Sequence, residues 1–193
     1  VKELTGKSVP TILDPVFMFD EEGWKQLIHV EKMINEPYIF AYFLGDNSQH
    51  RIAVKKLAEK TGLKIVALRH LDQYIEEDEK FGDYTAYDVA PDRFLNLLRG
   101  ARYVCTDSFH GSCFSIIHKK QFMVFNRYTE KSKHSKNSRI DTLCHNLGLK
   151  DRRFDGKIEA ITQPIDYDTV YKKLNVLRVK ANIYLDKAFE SIS

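Results

Sequence analysis

The chain has 193 residues, of which 43% are hydrophobic and 30% are charged, and its formal net charge is +3. This length and composition predict one soluble globular domain with a sizeable core, and the small net charge does not indicate a nucleic-acid partner. We expect no transmembrane segment, because no stretch approaches the roughly 20 apolar residues of a membrane span.

The first residues are predicted to lead into the domain. Residues 1–7 have the pattern of a helix end, and the chain does not begin with methionine, so we expect it to start within a longer protein. Residues 10–19 are apolar, but an Asp-Pro pair at Asp14 disfavours a central strand and favours a connecting segment. Asp20 is expected to cap a helix that extends to Leu27.

Apolar runs then alternate with helical patterns. The predicted strands are 38–44, 64–68, 103–106 and 121–125. The predicted helices are one with Ile52, Ala53, Leu57 and Ala58 on its buried face, ending at Gly62, and those at 92–99, 110–118 and 138–147. Residues 71–89 lack a clear period and are predicted to form a long surface loop. A last helix, capped by Asp166, has an apolar stripe from Val170 to Ala188.

Strands that are apolar throughout and separated by helices predict an α/β fold, a Rossmann-like parallel sheet with helices on both faces. We expect residues 1–193 to form a single domain, with 1–19 as a linker and 166–193 as a C-terminal helix. In such sheets ligands bind beyond the carboxyl ends of the strands. The turns predicted there are 45–48, 69–70, 106–111 and the segment from residue 126 onward.

The turn at 106–111 is the most informative, because it places His110 where a strand passes into a helix. A helix start favours anions, and imidazole transfers protons near neutral pH. Ser108 is interpreted as the helix cap or a phosphate contact, and Gly111 as part of the same anion site. The Ser108 and His110 pair does not indicate a serine hydrolase, because no GxSxG sequence or triad acid is found.

The segment after the strand at 121–125 is strongly basic and predicts contacts to an anionic small ligand, although a solvated surface is the alternative for any one lysine. Arg127 directly follows the strand, and the sequence Asn-Ser-Arg opens the next helix, which Ser138 is expected to cap. The candidate binding residues here are Arg127, Lys131, Lys133, Asn137, Ser138 and Arg139. Gly45, Asp46 and Asn47 are weaker candidates, since capping of the following helix by Asp46 or Asn47 explains that turn.

Two other site classes are disfavoured. Cys105, Cys113 and Cys144 lack CxxC spacing and lie in segments with buried patterns, so we expect free thiols in a reducing cytoplasm. Four histidines on helical patterns have no metal-ligand spacing, and we expect no metal: these are His29, His50, His118 and His145.

Four stretches together resemble a known family. These are LDPVFMF at 13–19, FLGDN at 43–47, residues 90–125 with TDSFHG at their centre, and KNSRIDTLCHNLGLKDR at 136–152. They resemble the carboxyl-terminal half of polysaccharide pyruvyl transferases, and TDSFHG with its flanking strand and helix is the specific part.

The resemblance implies a two-domain fold of the GT-B type, with the active site between two Rossmann-like halves, so an amino-terminal domain is expected upstream of Val1. It implies transfer of the enolpyruvyl unit of phosphoenolpyruvate to two hydroxyls of a sugar, which yields a pyruvate ketal. His110 would be the catalytic or donor-binding histidine. Arg127, Lys131 or Lys133 would meet the donor's phosphate or carboxylate, with Arg139 as a further candidate.

The resemblance also implies the partners and location of such an enzyme. The donor is a substrate, no cofactor is expected, and the acceptor would be a sugar or lipid-linked oligosaccharide. The enzyme would be cytoplasmic, at the inner face of the membrane where polysaccharide is assembled. An isolated carboxyl-terminal half is expected to be inactive. The alternatives are a nucleotide-sugar glycosyltransferase or epimerase of the same architecture, and a non-catalytic module that binds anionic glycan.

Overall fold

The structure is a computed structural model, and it describes residues 10–69, 74–128 and 136–190 together with Gly6. The strands in these ranges are β1 Tyr38–Tyr42, β2 Lys64–Leu68, β3 Tyr84–Ala86, β4 Tyr103–Thr106 and β5 Gln121–Val124. The α-helices are α1 Glu21–Leu27, α2 Ser48–Thr61, α3 Pro91–Gly100, α4 Phe109–Ile117, α5 Asn137–Leu147 and α6 Tyr167–Glu190. Short 3₁₀ helices occupy Pro15–Met18, Glu76–Asp78, Lys150–Arg152 and Ile158–Thr162.

All strand pairs in the described ranges are parallel, and the strand order is β3-β2-β1-β4-β5. The chain moves outward from β1 to β3 and then crosses to the other side of β1 for β4 and β5. The order therefore reverses between β1 and β4, and loops from their carboxyl ends diverge there, which is where such sheets bind ligands. The prediction of a Rossmann-like parallel sheet with helices on both faces is confirmed.

Alternating strand residues supply the two cores of the molecule. Phe40, Val104 and Phe122 face one side, where α3, α4, α5 and α6 pack with the wholly buried Phe17. Residues such as Ile39 face the opposite side, where α2 and the 3₁₀ helix Ile158–Thr162 pack. Because both faces of the sheet are covered, its strands are apolar throughout.

Helix α2 shows where hydrophobic pattern alone was misleading. It begins after Asn47, whose side chain accepts the Gln49 N–H at 2.9 Å, and it ends at Gly62 with φ of 70°, as predicted. The prediction that Ile52 lies on the buried face is wrong, since this side chain is 42% exposed. The helix instead buries Arg51, which a pattern of apolar residues cannot anticipate.

The segment after β2 is also more ordered than expected, and the prediction of a long surface loop over 71–89 is wrong for its described part. It contains Glu76–Asp78 and the edge strand β3, and Phe81 is buried. Arg51 explains this order: its guanidinium pairs with Asp78 at 2.7 Å and lies 5.6 Å from the centre of the Phe43 ring. A buried charge needs such a partner, so the pair fixes the segment against α2.

The predicted connecting segment at the start of the described chain is anchored to the domain. Asp14 caps the 3₁₀ helix Pro15–Met18, and Asp20 caps α1 by accepting the Gly23 N–H at 2.8 Å. The predicted helix of residues 1–7 lies outside the described residues, apart from Gly6. Asp166 caps α6 through the Thr169 N–H at 3.2 Å, as predicted.

Other buried groups agree with the expected chemistry. Cys105, Cys113 and Cys144 are free and buried. Burial raises the pKa of the Cys144 thiol to about 12, so this thiol stays protonated at neutral pH. None of the helices in the described ranges combines the length and hydropathy needed to cross a membrane.

His50 gives a prediction for stability. Its ring packs 4.8 Å from that of Phe125, and burial, followed by the charge of Arg51, lowers the pKa of His50 from 6.5 to about 4. Below about pH 6.5 the unfolded chain binds a proton at His50, whereas the folded chain binds it only near pH 4. The free energy of unfolding should therefore fall as the pH is lowered from 6.5 to 4. Burial and then Arg99 lower the pKa of His118 to about 4 as well, which adds a second contribution of the same sign.

His50→Phe should therefore remove about half of this acid-induced loss, because one of the two such histidines within the described ranges is gone. The measurement is urea unfolding at pH 7 and at pH 4.5. The matched control is His145→Phe, since His145 is exposed on α5. An unchanged pH dependence in His50→Phe would contradict the burial argument.

Candidate functional site

The loops after β1 and β4 are joined by one buried carboxylate. Asp107 follows β4, and its two oxygens accept the Leu44 N–H at 2.7 Å and the Gly45 N–H at 2.9 Å. Arg127 Nε lies 3.7 Å from Asp107 Oδ1. Burial raises the pKa of Asp107, whereas the two N–H donors and the Arg127 and Arg51 charges oppose that shift. The Asp107 carboxylate thus holds together the loops after β1 and β4, between which the strand order reverses.

The turn into α4 is built by small polar residues. Thr106 donates its hydroxyl to the Tyr42 carbonyl at 2.6 Å and accepts the Ser108 N–H at 3.0 Å. Ser108 Oγ accepts the Gly111 N–H at 3.2 Å, so it caps the helix as predicted. A Cβ at Gly111 would lie 2.7 Å from Thr106 Oγ1, so only glycine fits there. The capping hydrogen bond of Ser108 and the close packing at Gly111 explain these two residues by structure alone. Their contacts to a ligand remain predictions.

His110 projects from the first turn of α4 into the space in front of this edge. Its side chain is 54% exposed. Its ring stands edge-on to that of Phe109, with 5.4 Å between ring centres. His110 therefore lies at the surface beside a helix start, in the position that the sequence predicted.

Arg127 and the start of α5 lie across from His110. The Arg127 guanidinium is 5.8 Å from the centre of the Tyr128 ring, and its buried Nε makes no hydrogen bond within the described residues. The Asn137 side chain donates to the Tyr128 carbonyl at 2.8 Å, which ties the start of α5 to the end of the described β5 loop. An incompletely bonded guanidinium at a surface cleft retains the capacity to bind an anion.

The expectation that Ser138 caps α5 is wrong. The helix begins one residue earlier, at Asn137, and the capping position is Lys136, which makes no side-chain capping hydrogen bond. Neither α4 nor α5 has an acidic residue in its first turn. The positive ends of both helix dipoles are therefore not offset within their own first turns, which favours an anion between them.

Arg139 occupies the next part of α5. Its guanidinium carbon lies 4.1 Å from the centre of the Phe109 ring, a cation–π contact, and its Nη2 lies 3.4 Å from Asp14 Oδ2. The same Asp14 oxygen lies 3.6 Å from His110 Nε2. One carboxylate from the connecting segment therefore faces both residues.

These groups surround a cleft of about 230 Å³, which we call the anion cleft. It is lined by Leu44, Asp107, Ser108, Phe109, His110, Arg127, Tyr128, Lys136, Asn137, Arg139 and Ile140. A second cleft of about 360 Å³ shares Phe109 and Arg139 with it and is lined on its far side by α6 and residues 11–14. The anion cleft thus combines one exposed imidazole, three cationic side chains and two helix starts.

The structure brings several of the residues that the sequence singled out around one cleft. His110, Ser108, Arg127, Asn137 and Arg139 line the anion cleft, and Ser138 lines the second cleft beside it. Gly111 is buried against Thr106 and does not line the cleft.

The loop after β1 contributes less than expected. Gly45 packs against Asp107 and Arg127 but does not line the anion cleft; a Cβ there would lie 3.0 Å from Asp107 and 3.1 Å from Arg127. Asp46 is exposed and Asn47 caps α2, and neither lines the anion cleft. The candidates Lys131 and Lys133 lie outside the described residues.

Sequence reasoning missed several residues of the site. Asp107 and Asp14 act through contacts 62 and 125 residues away along the chain, to Gly45 and Arg139. Asp107 had one usable signal, because a carboxylate directly after a buried strand lies at the ligand-binding edge. Lys136 also lines the cleft, and in the sequence it is recognisable only as one of several positive charges in the basic segment. No cluster of three or more potential metal ligands occurs in the ranges that the structure describes.

Comparisons with known proteins give a match to a family and distant likenesses to solved structures, two of which are a glycotransferase and an epimerase. A search of curated proteins found no match. The glycotransferase of kitacinnamycin is 12% identical with a TM-score of 0.47, covering 79% of this chain and 43% of that chain. UDP-GlcNAc 2-epimerase from Neisseria meningitidis, in a structure bound to UDP-GlcNAc, is 12% identical with a TM-score of 0.43, covering 83% of this chain and 49% of that chain. The chain thus spans less than half the length of either protein.

The specific match is to a family model, and it covers residues 1–128, which include the connecting segment, the turn with His110, and Arg127. This is the greater part of the chain and contains most of the residues around the anion cleft. The resemblance predicted from the sequence motifs is confirmed: the chain belongs to the polysaccharide pyruvyl transferase family.

Proposed function

We propose that this chain provides the donor-binding half of an enzyme that transfers the enolpyruvyl unit of phosphoenolpyruvate to two hydroxyls of a sugar. The observation that carries the proposal is the anion cleft. Exposed His110 lines it together with Arg127 and Arg139, and the first turns of α4 and α5 lie at the same cleft. Membership in a family of transferases supports the reaction class.

The charges of the donor fit this cleft. Phosphoenolpyruvate carries a phosphate and a carboxylate a few bonds apart, so it needs two cationic contacts separated by the width of a small molecule. Arg127 and Arg139 supply guanidinium groups, which bind such oxyanions in a bidentate manner, and Lys136 adds a third charge. The opposing carboxylate of Asp107 is already occupied by backbone N–H groups.

The proposed chemistry needs one acid and no metal. His110 donates a proton to the methylene carbon of the donor, which makes the adjacent carbon electrophilic. One sugar hydroxyl adds to that carbon, and the bond to the phosphate oxygen breaks. The second hydroxyl then adds to the same carbon and closes the ketal. The methylene becomes a methyl group with the proton from His110. Of the two hydroxyl protons, one returns to His110 and the other ends on the departing phosphate, which is released as hydrogen phosphate.

The rest of the proposed enzyme follows from the family resemblance. The acceptor is a sugar, free or in a lipid-linked oligosaccharide, and a second Rossmann-like domain closes over the anion cleft in a GT-B arrangement. Acting on polysaccharide precursors at the inner face of the membrane requires no spanning segment in this part of the protein. Phosphoenolpyruvate is the donor substrate, and the scheme uses no cofactor.

The experiment uses the complete protein with phosphoenolpyruvate labelled with ¹³C at the methylene carbon. Equal amounts of released phosphate and of ketal methyl groups in the glycan, detected by NMR, are expected. A protein that consumes a nucleotide diphospho-sugar and leaves phosphoenolpyruvate intact would refute the proposal in favour of a glycosyltransferase or epimerase. A protein that binds glycan and consumes neither donor would refute it in favour of a binding module.

A further inference from the structure

The two carboxylate oxygens of Asp14 link the connecting segment to two residues that line the anion cleft. Oδ1 accepts the Val16 N–H at 3.2 Å and so caps the 3₁₀ helix that follows. Oδ2 points the other way, 3.6 Å from His110 Nε2 and 3.4 Å from Arg139 Nη2. Capping accounts for only one of the two oxygens, so the second contact requires a separate explanation.

The backbone that carries the Asp14 carboxylate is rigid. Pro15 fixes the backbone at the first position of the 3₁₀ helix, and the Phe17 N–H donates to the Asp14 carbonyl at 3.0 Å. Phe17 is wholly buried in the core, and the Asp14 side chain is only 17% exposed. The carboxylate therefore has little freedom to leave its partners.

The partners are less constrained than Asp14 itself. The side chains of His110 and Arg139 are 54% and 51% exposed, so each could otherwise sample several rotamers at the surface. A nearby carboxylate orients an imidazole N–H and a guanidinium through charge-assisted contacts. One anchored anion thus restrains both groups on the rim of the cleft.

We infer that Asp14, which lines the second cleft, is a positioning residue that restrains His110 and Arg139 on the rim of the anion cleft. It does not touch the donor; it acts through the two side chains that do. The inference deepens the proposed function and rests on it for the effect on turnover. The positioning itself is a property of the protein without substrate and can be measured separately.

The first test measures positioning by NMR of ¹⁵N-histidine-labelled complete protein. Asp14→Asn keeps the cap, because asparagine accepts the same N–H, and it removes the charge that faces His110. The matched control is Asp20→Asn, which changes a helix cap of the same chemistry at α1. The ring resonances of His110 should shift in Asp14→Asn and not in Asp20→Asn. Unchanged His110 resonances in Asp14→Asn would overturn the inference.

The second test measures the consequence for turnover. Asp14→Asn should lower kcat by about 10- to 100-fold, the loss expected for one charged contact. The KM for phosphoenolpyruvate should rise as well, because Arg139 loses the same contact, but by less than kcat falls, because Arg127 is untouched. Asp14→Glu, which keeps the charge, should recover part of kcat.

A double-mutant cycle separates positioning from a merely structural role. If Asp14 acts on kcat through His110, the kcat of the variant with both Asp14→Asn and His110→Ala should be no lower than that of His110→Ala alone, while the loss of the Arg139 contact still raises KM. Losses in kcat that multiply would overturn the inference and assign Asp14 to the cap. If the wild-type protein does not consume phosphoenolpyruvate while the His110 resonances still shift, the proposed function fails and the positioning role stands.

Discussion

In the complete protein, His110→Ala should lower kcat for ketal formation by about 10²- to 10⁴-fold, the usual contribution of a general acid. The KM for phosphoenolpyruvate should change much less, because the anionic groups of the donor are assigned to Arg127 and Arg139. The fold should tolerate the change, since the His110 side chain is 54% exposed. Steady-state phosphate release at saturating acceptor measures both constants.

The control for this experiment is His145→Ala, which removes an exposed histidine from α5 outside the residues that line the anion cleft. It should retain wild-type turnover. His110→Gln is informative as well, because it keeps hydrogen bonding and cannot deliver a proton near neutral pH. Near-normal kcat in either His110 variant would remove this residue from the proton transfer.

Asp107→Ala should have the largest effect on stability at the site. It leaves the N–H groups of Leu44 and Gly45 without their acceptor and Arg127 without its buried counter-charge. Breaking such a buried charged contact costs about 3 kcal/mol or more, which for a chain of this size lowers Tm by about 10 °C. Phosphoenolpyruvate affinity should fall together with stability, because the same carboxylate positions Arg127.

Two variants calibrate this result. Asp107→Asn keeps one acceptor oxygen and should lie between wild type and Asp107→Ala in Tm. Asp46→Ala removes an exposed aspartate from the neighbouring loop and should leave Tm unchanged. Differential scanning calorimetry gives Tm for all of them. An Asp107→Ala protein as stable as wild type would show that the two loops are held together by other contacts.

The sheet could be predicted from the sequence because its strands are buried on both faces. β1, β2, β4 and β5 appear as continuous apolar runs between helical patterns, and helix ends were marked by Asn47 and Gly62. The edge strand β3 was missed for the opposite reason. It has three residues, of which Tyr84 is 47% exposed, and it lies in an acidic segment that shows no period.

Errors within helices arose where a charged residue took a buried place. α2 buries Arg51 because Asp78 and two aromatic rings surround the guanidinium, and the helix is rotated away from the face that Ile52 suggested. The start of α5 at Asn137 depends on the carbonyl of Tyr128 across the cleft. Neither contact is visible in local periodicity, because each partner is distant in the sequence or on another element.

The site was predictable in part for a topological reason. Parallel strands bring their carboxyl ends to one edge, so His110 after β4 and Arg127 after β5 were expected to be close. The two aspartates that organise them were not expected. Asp14 and Asp107 gain their roles from long-range pairing, and the sequence shows only a helix-start signal at Asp14 and a polar residue after a strand at Asp107.

The most direct test of the anion cleft is calorimetric titration of phosphoenolpyruvate into the complete protein and two charge variants. Arg127→Met removes a guanidinium from the cleft, and Arg102→Met removes an exposed one next to the amino end of β4, at the opposite edge of the sheet. Wild type and Arg102→Met should bind with equal affinity, and Arg127→Met should raise Kd about 10- to 100-fold. Equal affinity in all three proteins would contradict donor binding at this cleft.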